Sequence, residues 1–136
     1  MTRGSRSDAG FLAFEMAAAM ALLMAIVMSV FQLMFWWHAT AAVDFAAEQG
    51  AFAAKVENAS PTAGHDAAAV ILAQTGRVGP PPGGSGGASI TVTYTADSVI
   101  VEVRGTSPAL TPFGNREVVG RSVQPLERFT GREDRN

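Results

Sequence analysis

The chain has 136 residues, with ten Lys and Arg against twelve Asp and Glu and a formal net charge of −2. A chain of this length forms one modest soluble domain at most. The near-neutral balance has no basic cluster, which argues against a nucleic-acid partner. The chain has no cysteine, which excludes disulfide bonds, thiolate metal sites and a cysteine nucleophile. We therefore expect the fold to be held by packing alone.

One apolar segment near the N-terminus is long enough to cross a membrane. Residues 16–43 include no Asp, Glu, Lys or Arg. As a helix, 16–37 would measure about 33 Å, against a hydrocarbon core of about 30 Å. The segment ends in aromatic side chains suited to the membrane interface, and we assign them as interface anchors: Phe35, Trp36 and Trp37. The sequence therefore predicts a transmembrane segment at about 16–37, with membrane lipid as its surroundings.

The charges that flank this segment predict its orientation. Arg3 and Arg6 precede it, whereas Asp44 and Glu48 follow it, and positive charge stays on the cytoplasmic side. We expect a single-pass protein of the cytoplasmic membrane, with its N-terminus inside and its head outside. A cleaved secretory signal is an alternative, although the apolar run is about twice the usual 7–15 residues of such signals.

A single carboxylate lies at the start of the apolar run. A charge costs about 2.5 to 3.5 kcal/mol at the bilayer centre and less near the interface, so Glu15 is expected to meet a partner. Cleavage after Gly10 would give Phe11 a new α-ammonium one helical turn from Glu15. We therefore predict processing between Gly10 and Phe11, which removes a cytoplasmic leader over 1–10, and an assembly role for Glu15. An uncleaved anchor, which needs neither feature, is the alternative.

The helix is expected to continue beyond the membrane. Apolar and small residues recur at steps of three and four: Ala42, Phe45, Ala46, Gln49, Phe52, Ala53 and Val56. The other side carries Asp44, Glu48, Ala51 and Lys55. Stop signals near Asn58 and Pro61 predict one helix over 11–58, with Gly50 as a soft point. The apolar stripe is expected to pack against the chain's own head, against other subunits, or against both along different parts.

Residues 59–130 are expected to form a small α+β head. A short helix is predicted from Gly64 to Thr75, with Gly76 as its terminator. The Gly- and Pro-rich stretch 79–87 is predicted to be an exposed flexible loop. A polar tail follows at 131–136.

Strand patterns dominate the second half of the head. Alternation with a period of two over 89–95 and 98–104 predicts a hairpin, in which Ile90, Val92 and Tyr94 share one face with Val99, Val101 and Val103. A third strand over 117–123 is expected to turn Val119 and Val123 inward. A hairpin alone is marginal in water, so the long helix must cover the apolar face. The predicted class is α+β: a long N-terminal helix, a short helix and a three-stranded antiparallel sheet.

The sequence shows no pattern of catalytic residues or of metal or cofactor ligands. Its two histidines, His38 and His65, have no second histidine or carboxylate cluster at ligand spacing. The glycines of 79–87 lack the GK[ST] of a phosphate-binding loop. We therefore expect no enzyme, no cofactor and no small-molecule substrate, and interpret His65 and Asp66 as a helix N-terminal pair.

The order of these elements and several short motifs point to one family. The motifs are Arg3-Gly4-Ser5, Glu15 before the uncharged run, Trp36-Trp37-His38, Ala46-Ala47-Glu48-Gln49-Gly50-Ala51 and Pro125-Leu126-Glu127-Arg128-Phe129. With them the chain resembles the TadE-like family of minor pilins, or pseudopilins, of Tad (Flp-type) type IV pilus systems, and looks most like actinobacterial members. It departs from the family in having no proline within 16–37 and no arginine within 39–57.

The resemblance implies a pilin-like fold and a role in pilus assembly. It implies a substrate of a prepilin peptidase that assembles with the major pilin and other minor pilins at an inner-membrane assembly platform, and enters or primes a surface pilus. The competing interpretation is a single-pass membrane-anchored envelope protein whose small β head binds a partner without polymerising.

Overall fold

The computed structural model describes residues 5–56, 59–60, 62–76, 78–110 and 114–126. Two helices and three strands lie in this part: α1 (Ser5–Ala54), α2 (Ala63–Thr75), β1 (Ser89–Tyr94), β2 (Ser98–Thr106) and β3 (Glu117–Pro125). The strands form one antiparallel sheet in the order β1-β2-β3. The predicted α+β class and its order of elements are confirmed. Asn58, Pro61, the Glu127-Arg128-Phe129 part of the last motif and the polar tail lie outside the described residues.

Helix α1 is a single rod of 50 residues, about 75 Å long. It begins before the predicted start at 11 and ends at Ala54, before the predicted stop. Its segment Gly10–Ala54 is long and apolar enough to cross a membrane, as a single-pass protein requires. Every residue from Gly10 to Phe31 is exposed in the isolated chain.

Helix α2 agrees with its prediction and packs closely on α1. It ends at Gly76, which has a φ of 57° and donates its N–H to Leu72 O. A Cβ added at Gly50 would lie 2.8 Å from the carbonyl oxygen of Gly64, and one added at Gly64 would lie 2.9 Å from Ala54 Cβ. Gly50 is therefore the contact point of the two helices, and α1 continues through it without a break.

The core between α1, α2 and the sheet consists of small side chains. Its buried members are Ala39, Val43, Ala46, Ala47, Ala51, Ala54, Ala68, Val99, Val101, Val103 and Val118. Of the predicted apolar stripe, Ala42 and Ala46 are buried against the chain's own head, whereas Phe45 and Phe52 are exposed. Ala51, predicted on the polar side, is fully buried. The reason is steric, since α1 comes so near to its neighbours that only small side chains fit between them.

The sheet confirms the predicted hairpin and shifts the phase of the third strand. Val99, Val101 and Val103 are fully buried, while Val119 and Val123 are 43% and 54% exposed. Val118 and Gly120 point inward instead. A Cβ at Gly120 would overlap the backbone carbonyl of Val43, so this position accepts only glycine, and a one-residue shift moves every neighbour to the other face.

The Gly- and Pro-rich loop is attached to the sheet at its start. Gly79 N–H donates to Thr106 O at 2.9 Å, and Thr106 N–H donates to Gly79 O at 3.1 Å. The hydroxyl of Thr106 also donates to Pro80 O at 2.8 Å. Residues 82–87 are exposed, as expected.

Candidate functional site

The predicted processing and assembly residues lie together on the N-terminal part of α1. Gly10, Phe11 and Glu15 are all helical and exposed, and Phe11 is 68% exposed. Phe11 and Glu15 are four residues apart, so their side chains occupy one side of the helix. A Cβ at Gly10 would have no neighbour within 4 Å. This end of the rod is therefore open to other molecules, and processing and the role of Glu15 stay predictions.

The three predicted interface anchors point in different directions. Phe35 is half-buried, Trp36 is 36% exposed and Trp37 is 68% exposed. Consecutive helical residues are rotated by about 100°, so one side chain can turn toward the head while its neighbour turns away. Trp36 lines a groove beside the head, whereas Trp37 remains open to the surroundings.

Gln32 forms hydrogen bonds that join the head to the apolar part of α1. The sequence did not lead us to predict this role. Its Nε2 donates to Gly114 O at 2.8 Å and to Pro108 O at 3.2 Å, and its Oε1 accepts the N–H of Leu110 at 2.9 Å. A Cβ at Gly114 would overlap the amide of Gln32. An amide within an apolar run was the available signal, because such a group must find hydrogen-bond partners.

A groove lies where Gly114 and Arg116 meet α1. Its volume is about 300 Å³, and it is lined by Met28, Ser29, Gln32, Leu33, Trp36, Gly114 and Arg116. Arg116 is exposed. Among the described residues, no carboxylate lies within ion-pair distance of its guanidinium. The groove therefore combines an apolar floor with one cation at its rim.

The side of α1 that faces away from the head carries large apolar side chains. We call this side the aromatic face and define it by Val27, Phe31, Met34, Phe45 and Phe52, all exposed. Their spacings of three, four, seven and eleven residues place them on one stripe. The ammonium of Lys55 lies 4.4 Å from the centre of the Phe52 ring. The stripe runs from the apolar segment into the part of α1 beside the head.

The charged clusters of the head are surface ion pairs. Arg104 pairs with Glu102 and, at 3.7 Å, with Glu117 on the outer face of the sheet. The hydrogen bond to Glu102 raises the pKa of Arg104, which is charged in any case. His65 and Asp66 are 3.6 Å apart and exposed in the first turn of α2. Within the described ranges, no three His, Asp or Glu side chains are placed to hold a metal ion.

No protein-family model, curated protein or solved structure matches the chain. Three surfaces of this molecule bear on its function: the open N-terminal end of α1, the aromatic face and the groove at Gln32.

Proposed function

We propose that the protein is a minor pilin, or pseudopilin, of a Tad-type pilus system. In this role α1 anchors the chain in the cytoplasmic membrane with the head outside, a prepilin peptidase cleaves after Gly10, and the mature helix packs laterally against the major pilin and other minor pilins at the assembly platform. The observation that carries the proposal is the part of the aromatic face beside the head, Phe45 and Phe52, which stays uncovered beyond the predicted membrane segment.

The exposed phenylalanines have an energetic cost in a monomer. Phe45 is 49% and Phe52 is 57% exposed. Full burial of such a side chain contributes about 1.5 to 3 kcal/mol, so covering the exposed half contributes about 1 kcal/mol at each position. A neighbouring helix that ran along the stripe would gain this at both positions and would meet Val27, Phe31 and Met34 further down. A stripe of this kind, which His38 interrupts between Met34 and Phe45, supports helix-to-helix packing between subunits.

The N-terminal end supports the same interpretation. Glu15 is exposed on a part of α1 that lies far from the head, so among the described residues it has no partner in its own chain other than its own helix. After cleavage, the ammonium of Phe11 would offer one on the same or a neighbouring chain, and such a pair is strong in low dielectric. A pair between neighbouring chains would accord with assembly.

One observation favours the alternative of an envelope anchor whose head binds a partner. The outer face of the sheet exposes Val119 and Val123 beside Arg121. Such a mixed apolar and cationic surface suits a protein partner. This alternative requires neither Glu15 nor the aromatic face, so the two functions are separable by mutation.

The test is the assembly phenotype of Glu15 variants. Glu15→Leu removes a carboxylate from the membrane and should leave insertion intact or improve it, while abolishing co-purification with the major pilin and reducing the pilus count. Glu15→Gln should behave like Glu15→Leu in assembly. Glu48→Gln, which neutralises an exposed carboxylate on the same helix beside the head, is the matched control and should assemble normally.

The processing step is read in the same samples by mass spectrometry. The membrane-extracted protein should begin at Phe11. An N-terminus at Met1 or near Ala41, or unchanged pilus counts in both Glu15 variants at equal membrane abundance, would favour the envelope anchor.

A further inference from the structure

The hydrogen bonds of Gln32 fix how deeply the head lies relative to the membrane. The residues that Gln32 binds, Pro108, Leu110 and Gly114, are in irregular backbone. Irregular backbone does not occur exposed to lipid within the hydrocarbon region. A span that reached Trp37, five residues beyond Gln32, would immerse these three residues by about 7 Å, at 1.5 Å per residue. The hydrocarbon segment therefore ends near Phe31 and, for about 30 Å, begins near Phe11.

The groove lined by Trp36 and Arg116 then lies at the membrane surface. Below it, a second and more open groove of about 330 Å³ continues down α1 along Ala25, Ile26 and Val30. Ser29 and Leu33 line both grooves. Together they form an apolar path that leads from the rim into the bilayer.

At the rim of the first groove, Arg116 provides a charged end to this apolar path. Arg116 is exposed and, among the described residues, has no carboxylate partner. Arginine near a membrane extends its guanidinium to the headgroup level while its stem covers apolar surface. A phospholipid with an anionic headgroup fits this arrangement, with its phosphate at Arg116 and one acyl chain along Met28 and Leu33.

We propose that such a lipid, from the leaflet on the head's side, docks between α1 and the head residues Gly114 and Arg116. The proposal rests on the membrane insertion of α1 and not on the pilus role. It makes the head a membrane-seated unit, whose position on α1 is set by a bound lipid as well as by the Gln32 amide.

The test uses the full chain in vesicles and its two tryptophans. Trp37→Phe leaves Trp36 as the only tryptophan, and its quenching is measured with lipids brominated on the acyl chains. Brominated phosphatidylglycerol should be enriched beside Trp36 about fivefold over brominated phosphatidylcholine, which corresponds to about 1 kcal/mol for one arginine near an anionic surface. Arg116→Gln should remove this preference, and Arg121→Gln, on the outer face of the sheet, should keep it.

Several outcomes would overturn the proposal. Equal quenching by the two lipids would show that no anionic headgroup is selected, and absence of quenching by either would show that the head stands away from the bilayer. Loss of the preference in excess inorganic phosphate would show a free-phosphate site. As a control, Trp36→Phe leaves Trp37 as the only tryptophan. Because Trp37 does not line the groove, its quenching should be the same for the two lipids. None of these readouts depends on cleavage or pilus assembly, so this proposal and the proposed function fail separately.

Discussion

The two faces of α1 beside the head differ in side-chain size more than in polarity. The small-residue face, which we define by Ala39, Val43, Ala46, Ala47, Gly50 and Ala54, is buried against α2 and the sheet. The aromatic face is just as apolar and stays exposed at Phe45 and Phe52. Hydrophobicity alone would bury the phenylalanines first, because they remove more area from water. The chain does the opposite.

The difference shows what each face is suited to contact. On the small-residue face, backbone approaches backbone, as the positions of Gly50 against Gly64 and of Gly120 against Val43 show. Such a contact is specific, because a single added methyl group disrupts it. The aromatic face has side chains that reach outward and can pack against a neighbouring helix. In the proposed function, one helix thereby separates contacts within the chain from contacts between chains.

The largest expected effect tests which residues the small-residue face covers. Val118 is 3% exposed and Val119 is 43% exposed. Val118→Asp should destabilise the head by about 3 to 5 kcal/mol, since it buries an unpaired charge. Val119→Asp, opposite Arg104 on the outer face, should change stability by less than about 0.5 kcal/mol. Both variants are compared by thermal unfolding, followed by circular dichroism in detergent. Equal losses of stability would mean that the phase of β3 is wrong.

A somewhat smaller effect tests the close approach of β3 to α1. Gly120→Ala places a methyl group against the Val43 carbonyl, and backbone cannot move aside as a side chain can. We expect a loss of about 2 to 3 kcal/mol in the free energy of unfolding. Gly87→Ala is the control, because a Cβ there has no neighbour within 4 Å. An unfolding midpoint for Gly120→Ala that matches the control would contradict the close contact.

The next effect concerns the contact that joins the head to the apolar segment. Gln32→Leu leaves two carbonyls and the N–H of Leu110 without their partner, at a cost of about 1 to 2 kcal/mol. Hydrogen exchange of the Leu110 amide should rise. Ser29→Ala, one turn away with its hydroxyl bonded to Ala25 O within the helix, should leave that amide unchanged. If the Leu110 amide exchanged at the same rate in both variants, its protection would not depend on Gln32.

The comparison also shows which parts of the fold were predictable. The hairpin and α2 carry local signals, namely alternation over 89–104 and the terminator Gly76, and both were correct. The phase of β3 was not predictable in this way, because Val118 and Val119 are adjacent and fit either phase; the choice comes from Gly120 against a helix distant in sequence. Gln32 meets residues 76 to 82 positions away, and no local pattern reports that contact.

The site residues also differ in whether a local sequence pattern predicts them. Gly10, Phe11 and Glu15 were predicted from their spacing within one helix, and in the structure all three are helical and exposed. Phe45 and Phe52 of the aromatic face were predicted on a single stripe that also held Ala42 and Ala46. Only the packing of the head divides that stripe into a buried and an exposed part.

The smallest expected effect on stability belongs to the aromatic face, and it tests the proposed separation most directly. Phe45→Ser combined with Phe52→Ser removes two exposed rings, and serine and phenylalanine have similar helix propensities. The free energy of unfolding should therefore change by less than about 0.5 kcal/mol per site, apart from the loss of the exposed contact between Lys55 and Phe52. Association should weaken by about 30-fold, from about 1 kcal/mol at each ring.

The measurement is a pulldown titration of the major pilin at equal membrane abundance, paired with thermal unfolding. Ala47→Leu, on the fully buried opposite face, is the matched control and should show the reverse pattern, with stability reduced by about 1 to 3 kcal/mol through overpacking. A double serine variant that unfolded as easily as Ala47→Leu would place the rings in contact with the chain's own head. One that bound the major pilin as tightly as wild type would leave the aromatic face without a role in assembly.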